Sequence, residues 1–193
     1  MKTISIFATF LLAILFLQVK SQDVVPKGFV KGSMLLADNS EMTGFIKDEI
    51  RSKAAVVFIP VAGGKKITYD GDKLNAVTIN ETSYICMKGD FFKLVCDGEL
   101  SFLQKSSDAS SKPVYVGTEA MFINGTEGKP GDYFIFNKSL NQLKLVNNKN
   151  VAAVTAETFI NCEAAVNKAK ETGADIALLK DAVVIYNNRK SPL

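Results

Sequence analysis

From Gly28 to Gln104 apolar residues come in short runs separated by turn-forming residues. Phe29 to Leu36 is followed by the cluster Ala37-Asp38-Asn39-Ser40. Met42 to Ile50 alternates, with Met42, Gly44, Ile46 and Asp48 on one side and Thr43, Phe45 and Lys47 on the other. Ala54 to Ile59 is β-branched and apolar and stops at Pro60 to Gly64. Lys65 to Tyr69 and Leu74 to Ile79 flank the turn Asp70-Gly71-Asp72. Strands this closely spaced predict an antiparallel meander, because parallel pairing needs a long crossover.

A hairpin follows, with Ser83 to Lys88 and Phe91 to Cys96 on either side of Gly89-Asp90, a pair that suits a type II′ turn. That register sets Cys86 opposite Lys93 and Cys96 opposite Ser83, so the two cysteines are expected on opposite faces, which disfavours a bridge and leaves Cys162 as the other candidate partner. Lys105 to Lys112 has no apolar residue larger than alanine and predicts an exposed loop. Val114 to Val116, Ala120 to Ile123, Tyr133 to Phe136 and Gln142 to Val146 are further strands, with Asn124 to Gly131 as a turn-rich connector.

After Asn150 the period changes. Ala152 to Lys170 is alanine-rich and predicts a helix with Thr155 as an N-cap, stopped at Gly173. A second helix from Asp175 to about Asn187 aligns Ile176, Leu179, Val183 and Tyr186 on one stripe facing the sheet. The tail Asn187 to Pro192 is polar and expected to fray. The expectation is an α+β fold: an antiparallel β-meander or incomplete barrel, then two or three C-terminal helices.

Lys2 followed by an apolar run from Ile4 to Leu17, with Val19-Lys20-Ser21 at the end, predicts a cleaved signal peptide over residues 1–21. The run is shorter than the roughly 18–20 residues a membrane span needs. Residues 22–193 then form a single α+β domain, with 22–147 mainly strands and 150–188 helical. Lys2 and Lys20 leave with the signal, so the formal net charge of +3 falls close to neutral. That balance argues against a nucleic-acid partner, which needs clustered positive charge.

The chain has no histidine. That excludes Ser-His-Asp and Cys-His catalysis and imidazole-ligated zinc. Asp70-Gly71-Asp72 resembles the start of a calcium loop but lacks the later oxygen ligands, and reads as a turn. Asp48-Glu49 and Asp97-Gly98-Glu99 read as solvated strand ends. Gly63-Gly64-Lys65 lacks the rest of a phosphate loop, since Lys66 stands where Ser or Thr is required. Cys86, Cys96 and Cys162 read as structural thiols. Asn80-Glu81-Thr82, Asn124-Gly125-Thr126 and Asn137-Lys138-Ser139 match the glycosylation triplet, a pattern that Asn- and Thr-rich chains produce by chance. Phe91, Phe92, Phe102, Phe122, Tyr133, Phe134 and Phe136 read mainly as core. The sequence offers no catalytic, cofactor-binding or metal-ligating residue, and no cofactor is expected.

Several segments carry a family likeness: Thr43-Gly44-Phe45-Ile46, Tyr69-Asp70, and Phe92-Lys93-Leu94-Val95 with Asp97-Gly98-Glu99-Leu100-Ser101-Phe102. Tyr133-Phe134-Ile135-Phe136, Phe159-Ile160-Asn161-Cys162 and Tyr186-Asn187 complete it. With these the chain resembles a group of uncharacterised exported proteins of the Bacteroidota. The resemblance implies a bacterial source and an envelope location, and no activity. The resulting expectation is an exported, non-enzymatic envelope module, periplasmic or extracellular, that binds a partner protein or surface polymer through its sheet or an exposed edge. A carrier of a small apolar ligand in the barrel and a histidine-free hydrolase are the alternatives.

Overall fold

The structure is a computed structural model that describes residues 24–111, 114–116, 119–121 and 125–189. The expected signal peptide, Phe122 and Asn124 lie outside the described residues. The fold is α+β, built on a ten-stranded antiparallel sheet in the order β12-β11-β8-β7-β6-β5-β1-β2-β3-β4. Its strands are β1 (Val30–Leu36), β2 (Glu41–Glu49), β3 (Ala55–Ile59), β4 (Ile67–Asp70), β5 (Leu74–Ile79), β6 (Thr82–Met87), β7 (Asp90–Cys96), β8 (Leu100–Lys105), β11 (Tyr133–Asn137) and β12 (Gln142–Val146). A separate two-stranded ribbon pairs β9 (Val114–Val116) with β10 (Glu119–Met121).

The sheet has two regimes. Strands β1 to β7 curl around a filled interior of Met34, Ile46, Val56, Phe58, Leu74, Val77 and Phe91. The curl is drawn together where Gly71, just after β4, bridges Gly89 before β7. A Cβ on Gly71 would lie 2.2 Å from the Gly89 carbonyl oxygen, so only glycine permits this approach. The remaining strands, β8, β11 and β12, continue the sheet beyond the curl. Their inner face, carrying Leu100, Phe102, Ile135 and Val146, is covered by the C-terminal helices.

Those helices are α2 (Val151–Thr158), α3 (Glu163–Lys170) and α4 (Leu179–Asn187), while α1 (Ile50–Lys53) is a single turn after β2. A 3-10 turn, Ile176–Leu178, leads into α4, and Asp175 Oδ1 accepts the Ala177 N–H at its start. The expected stripe holds: Leu179, Val183 and Tyr186 are buried and Ile176 packs beside them. Each full burial of this kind contributes about 1.5–3 kcal/mol. Gly173 stops the preceding segment with a φ of 57°.

Six local expectations need correction. The hairpin turn is Lys88-Gly89, because Met87 pairs with Asp90 and Cys86 with Phe91. Both turn residues have positive φ, 51° and 83°, which is type I′ and not II′. Asp90 is withdrawn from the turn by buried partners described below. A bulge between Leu94 and Cys96 then returns Cys96 to the face that Cys86 shares, although Cys86 packs in the curl and Cys96 against the helices. All three cysteines are free.

The expected long helix is two, broken between Thr158 and Glu163. Thr155 is no cap: its hydroxyl donates back to the Val151 carbonyl at 2.7 Å inside α2. Lys105 to Ala109 is not an exposed loop, since Lys105, Ser107 and Ala109 are buried. Finally, Arg189 is not frayed. It donates to both Glu99 carboxylate oxygens, at 3.0 and 2.8 Å, and lies 3.5 Å over the Tyr186 ring.

Candidate functional site

The outer face of the sheet around β7, β8 and β11 carries Phe92, Leu103 and Phe134, with Met87, Leu94, Phe136, Leu143 and Leu145 partly buried around them. Above this face lies a cleft of about 560 Å³. Met87 and Lys88 form one end and Phe136 with Asn141, Gln142 and Leu143 the other, while Gly125 to Glu127 make a wall. Its floor is therefore apolar and its rim polar, with one cation, one carboxylate and two amides among the described residues.

The wall is anchored from below by a buried ion pair. Alternation along β7 puts Asp90 on the same face as Phe92, and alternation along β8 puts Lys105 on the same face as Leu103. Lys105 Nζ lies 3.0 Å from Asp90 Oδ2, both side chains fully enclosed. The ammonium also donates to the carbonyls of Thr126, Glu127 and Gly128, at 2.8, 3.3 and 3.1 Å. Asp90 Oδ2 accepts from the Thr126 N–H and hydroxyl at 2.7 and 2.8 Å. Asp90 Oδ1 accepts from Ala109 N–H at 2.7 Å and Ser107 Oγ at 3.2 Å. A charge pair is tolerated in such a place only when its remaining donors and acceptors are met, as they are here. The consequence is a loop fixed by side-chain and main-chain bonds before any ligand arrives.

A smaller depression of about 180 Å³ lies on the other face of β12, among Gln142, Lys144, Glu157, Thr158, Leu140 and Ile160. Lys144 and Glu157 pair at 2.6 Å across it. Leu140 and Ile160, 69% and 74% exposed, stand at its rim. Thr158 Oγ1 is buried without a hydrogen-bond partner among the described residues. A third hollow, about 310 Å³, is lined by small and apolar residues of α2 and α3 together with Lys170, Thr172 and Gly173.

The groups weighed from the sequence do not converge. Asp70-Gly71-Asp72 forms a turn in which Lys73 N–H donates to the Asp70 carbonyl. Glu49 is held between Lys47 and Lys53 at 2.6 and 2.8 Å, and these bonds, Lys47 first, bring its carboxyl down to about 2. Burial works against the Asp97 charge, but hydrogen bonds from Lys138 and Ser101 outweigh it and hold the carboxyl below its ordinary range. Glu99 serves Arg189. Gly63-Gly64-Lys65 lies in the link between β3 and β4, where Gly64 N–H closes a turn on the Val61 carbonyl. Burial pushes the Cys86 thiol up to about 12. Phe91, Phe92, Phe102 and Phe134 are fully buried, as core residues should be. Among the described residues no cluster of three metal-ligating side chains occurs and no helix is long and apolar enough to cross a membrane.

Lys105, Asp90 and Thr126 were not singled out by sequence, because each belongs to a polar or turn-like stretch. The available signal was strand parity: Lys105 follows Leu103 by two and Asp90 precedes Phe92 by two, which aims both inward. No protein-family model matches the chain, and neither the curated proteins nor the solved structures contain a significant match.

Proposed function

We propose that the protein is an exported module of the cell envelope that binds a partner protein in the cleft between Met87 and Leu143. The observation that carries this reading is the pre-built wall: the Asp90–Lys105 pair holds Gly125 to Gly128 in place over an apolar floor. A wall already ordered spares the binding step that entropy cost. Asn141 and Gln142 each offer a donor and an acceptor, the pair of functions a peptide main chain needs. Among the described residues Phe136 is the one aromatic lining the cleft, which gives a sugar polymer little to stack on. The leader-like residues 1–21 and the likeness to exported Bacteroidota proteins support the location.

The filled interior of the curl favours this reading over a carrier of an apolar ligand there. The test is a photo-crosslinking amino acid placed at Gln142 in the producing cell, with the mass of the recovered protein read in parallel. A protein-sized adduct that disappears in Leu143→Asp, on a chain beginning at Gln22, is the expected result. An adduct unchanged by Leu143→Asp, or a chain still carrying residues 1–21, overturns it.

A further inference from the structure

We propose that the partner enters as an added β-strand along the outer edge of β12, a mode of binding that rests on the cleft reading above. Among the described residues β12 ends the sheet and pairs only with β11, which leaves its other edge open. Which of its groups are free follows from the ladder. Lys105 N–H donates to the Asp132 carbonyl and Gly131 N–H to the Lys105 carbonyl, so Lys105 turns its main chain toward β11. Residues two apart point alike, so Leu103 and its partner Phe134 share hydrogen bonds. The next pair along the sheet, Phe134 with Leu145, is then a non-bonded one, and Leu145 and Leu143 direct their N–H and C=O groups outward. The Leu145 carbonyl confirms this direction, since it accepts from Asn150 Nδ2 at 2.8 Å, outside the ladder. An incoming strand therefore meets the N–H and C=O of Leu143 and the N–H of Leu145.

The two depressions flank this row. The cleft opens beside Leu143 on one face, and the smaller hollow beside Gln142 and Lys144 on the other. Alternate residues of an added strand point to alternate faces. One set reaches the apolar end of the cleft, and the other sits between Leu140 and Ile160 over the buried Thr158 hydroxyl. Edge strands are often blunted by an inward lysine. Here Lys144 is neutralised by Glu157, so the edge stays receptive. The other edge, β4, is drawn onto Gly89 through Gly71 and is less open. A second copy of the chain would bring only the same short, half-capped row. A longer extended segment of another protein spans the row and fills both hollows.

The probe is a set of synthetic decapeptides selected from a random displayed library on the folded protein without residues 1–21. Selected peptides are expected to alternate in polarity with period two and to slow hydrogen exchange at Leu143 and Leu145. Leu143→Pro removes an outward N–H without touching the β11 ladder, and is expected to weaken binding at least tenfold. Exchange protection in the unaltered protein gives the same answer should that variant fail to fold. Protection confined to other strands, unchanged affinity in a folded Leu143→Pro variant, or protection of the same amides in a dimer without peptide overturns the proposal. If binding survives Leu143→Pro but is lost in Leu143→Asp, edge addition fails while the cleft reading stands. If neither substitution matters, both fail.

Discussion

Replacing Lys105 by methionine tests the anchor beneath the cleft. The side chain is matched in length, so the perturbation is the loss of charge and of donors. Three carbonyls lose the ammonium, those of Thr126, Glu127 and Gly128, and Asp90 loses its counter-charge. Breaking a fully buried pair in this way costs about 3–5 kcal/mol. Asp90 keeps the N–H and hydroxyl of Thr126, the N–H of Ala109 and the hydroxyl of Ser107, which places Lys105→Met at the lower end of that range. Asp90→Ala is worse. It leaves the ammonium without its carboxylate and strands all of those donors, two of them main-chain, at roughly 1–3 kcal/mol for each buried group unmet. Urea unfolding followed by circular dichroism reads both. With a slope near 2 kcal/mol/M, Lys105→Met lowers the midpoint by about 1.5 M. A loss below about 1 kcal/mol for Lys105→Met, or an Asp90→Ala variant no less stable than Lys105→Met, refutes the reasoning.

Other outcomes follow from single contacts. Glu49 has its carboxyl held at about 2 against an ordinary 4.5, first by Lys47 and then by Lys53. Between those values the unfolded chain binds the extra proton, so this contribution is complete above pH 4.5 and lost as pH falls toward 2. Urea midpoints of Glu49→Gln should depend less on pH in that window, and parallel curves for the two proteins would count against it. Gly98→Ala places a Cβ 2.3 Å from the Asn187 amide and should cost about 1–3 kcal/mol, with faster hydrogen exchange at Leu100; a neutral substitution contradicts this. With its thiol raised to about 12, Cys86 should resist iodoacetamide at pH 8 in the native protein and react in urea, as peptide mapping would read.

Much of the architecture was legible because it rests on period and turn chemistry. The strands from Phe29 to Cys96 follow alternation and Gly/Asp/Asn punctuation, and the stripe Ile176, Leu179, Val183, Tyr186 follows the helical repeat. What escaped depends on partners distant in sequence. Asp90 reads as a turn residue until Lys105, Thr126 and Ala109 claim its oxygens. Lys105 to Ala109 reads as solvent-exposed until those same bonds bury it. Arg189 reads as tail until Glu99, ninety positions earlier, meets it. Thr155 has the composition of a cap and the position of an interior residue, a distinction that only the start of α2 at Val151 settles. The cleft itself joins residues of β6, β11 and β12 with the loop Gly125 to Glu127, and no local pattern announces such an assembly.

Strand β7 serves three interiors within seven residues: Phe91 faces the curl, Phe92 the outer cluster, and Val95 with Cys96 the helices. Its reading frame is therefore fixed. Inserting or deleting one residue between Phe91 and Val95 would exchange faces along the strand. The exchange would empty two cores and place Lys93 within one of them. Length variation belongs to the connectors, and a chain related to this one should hold the residue count of β7 constant even where its sequence has drifted beyond recognition.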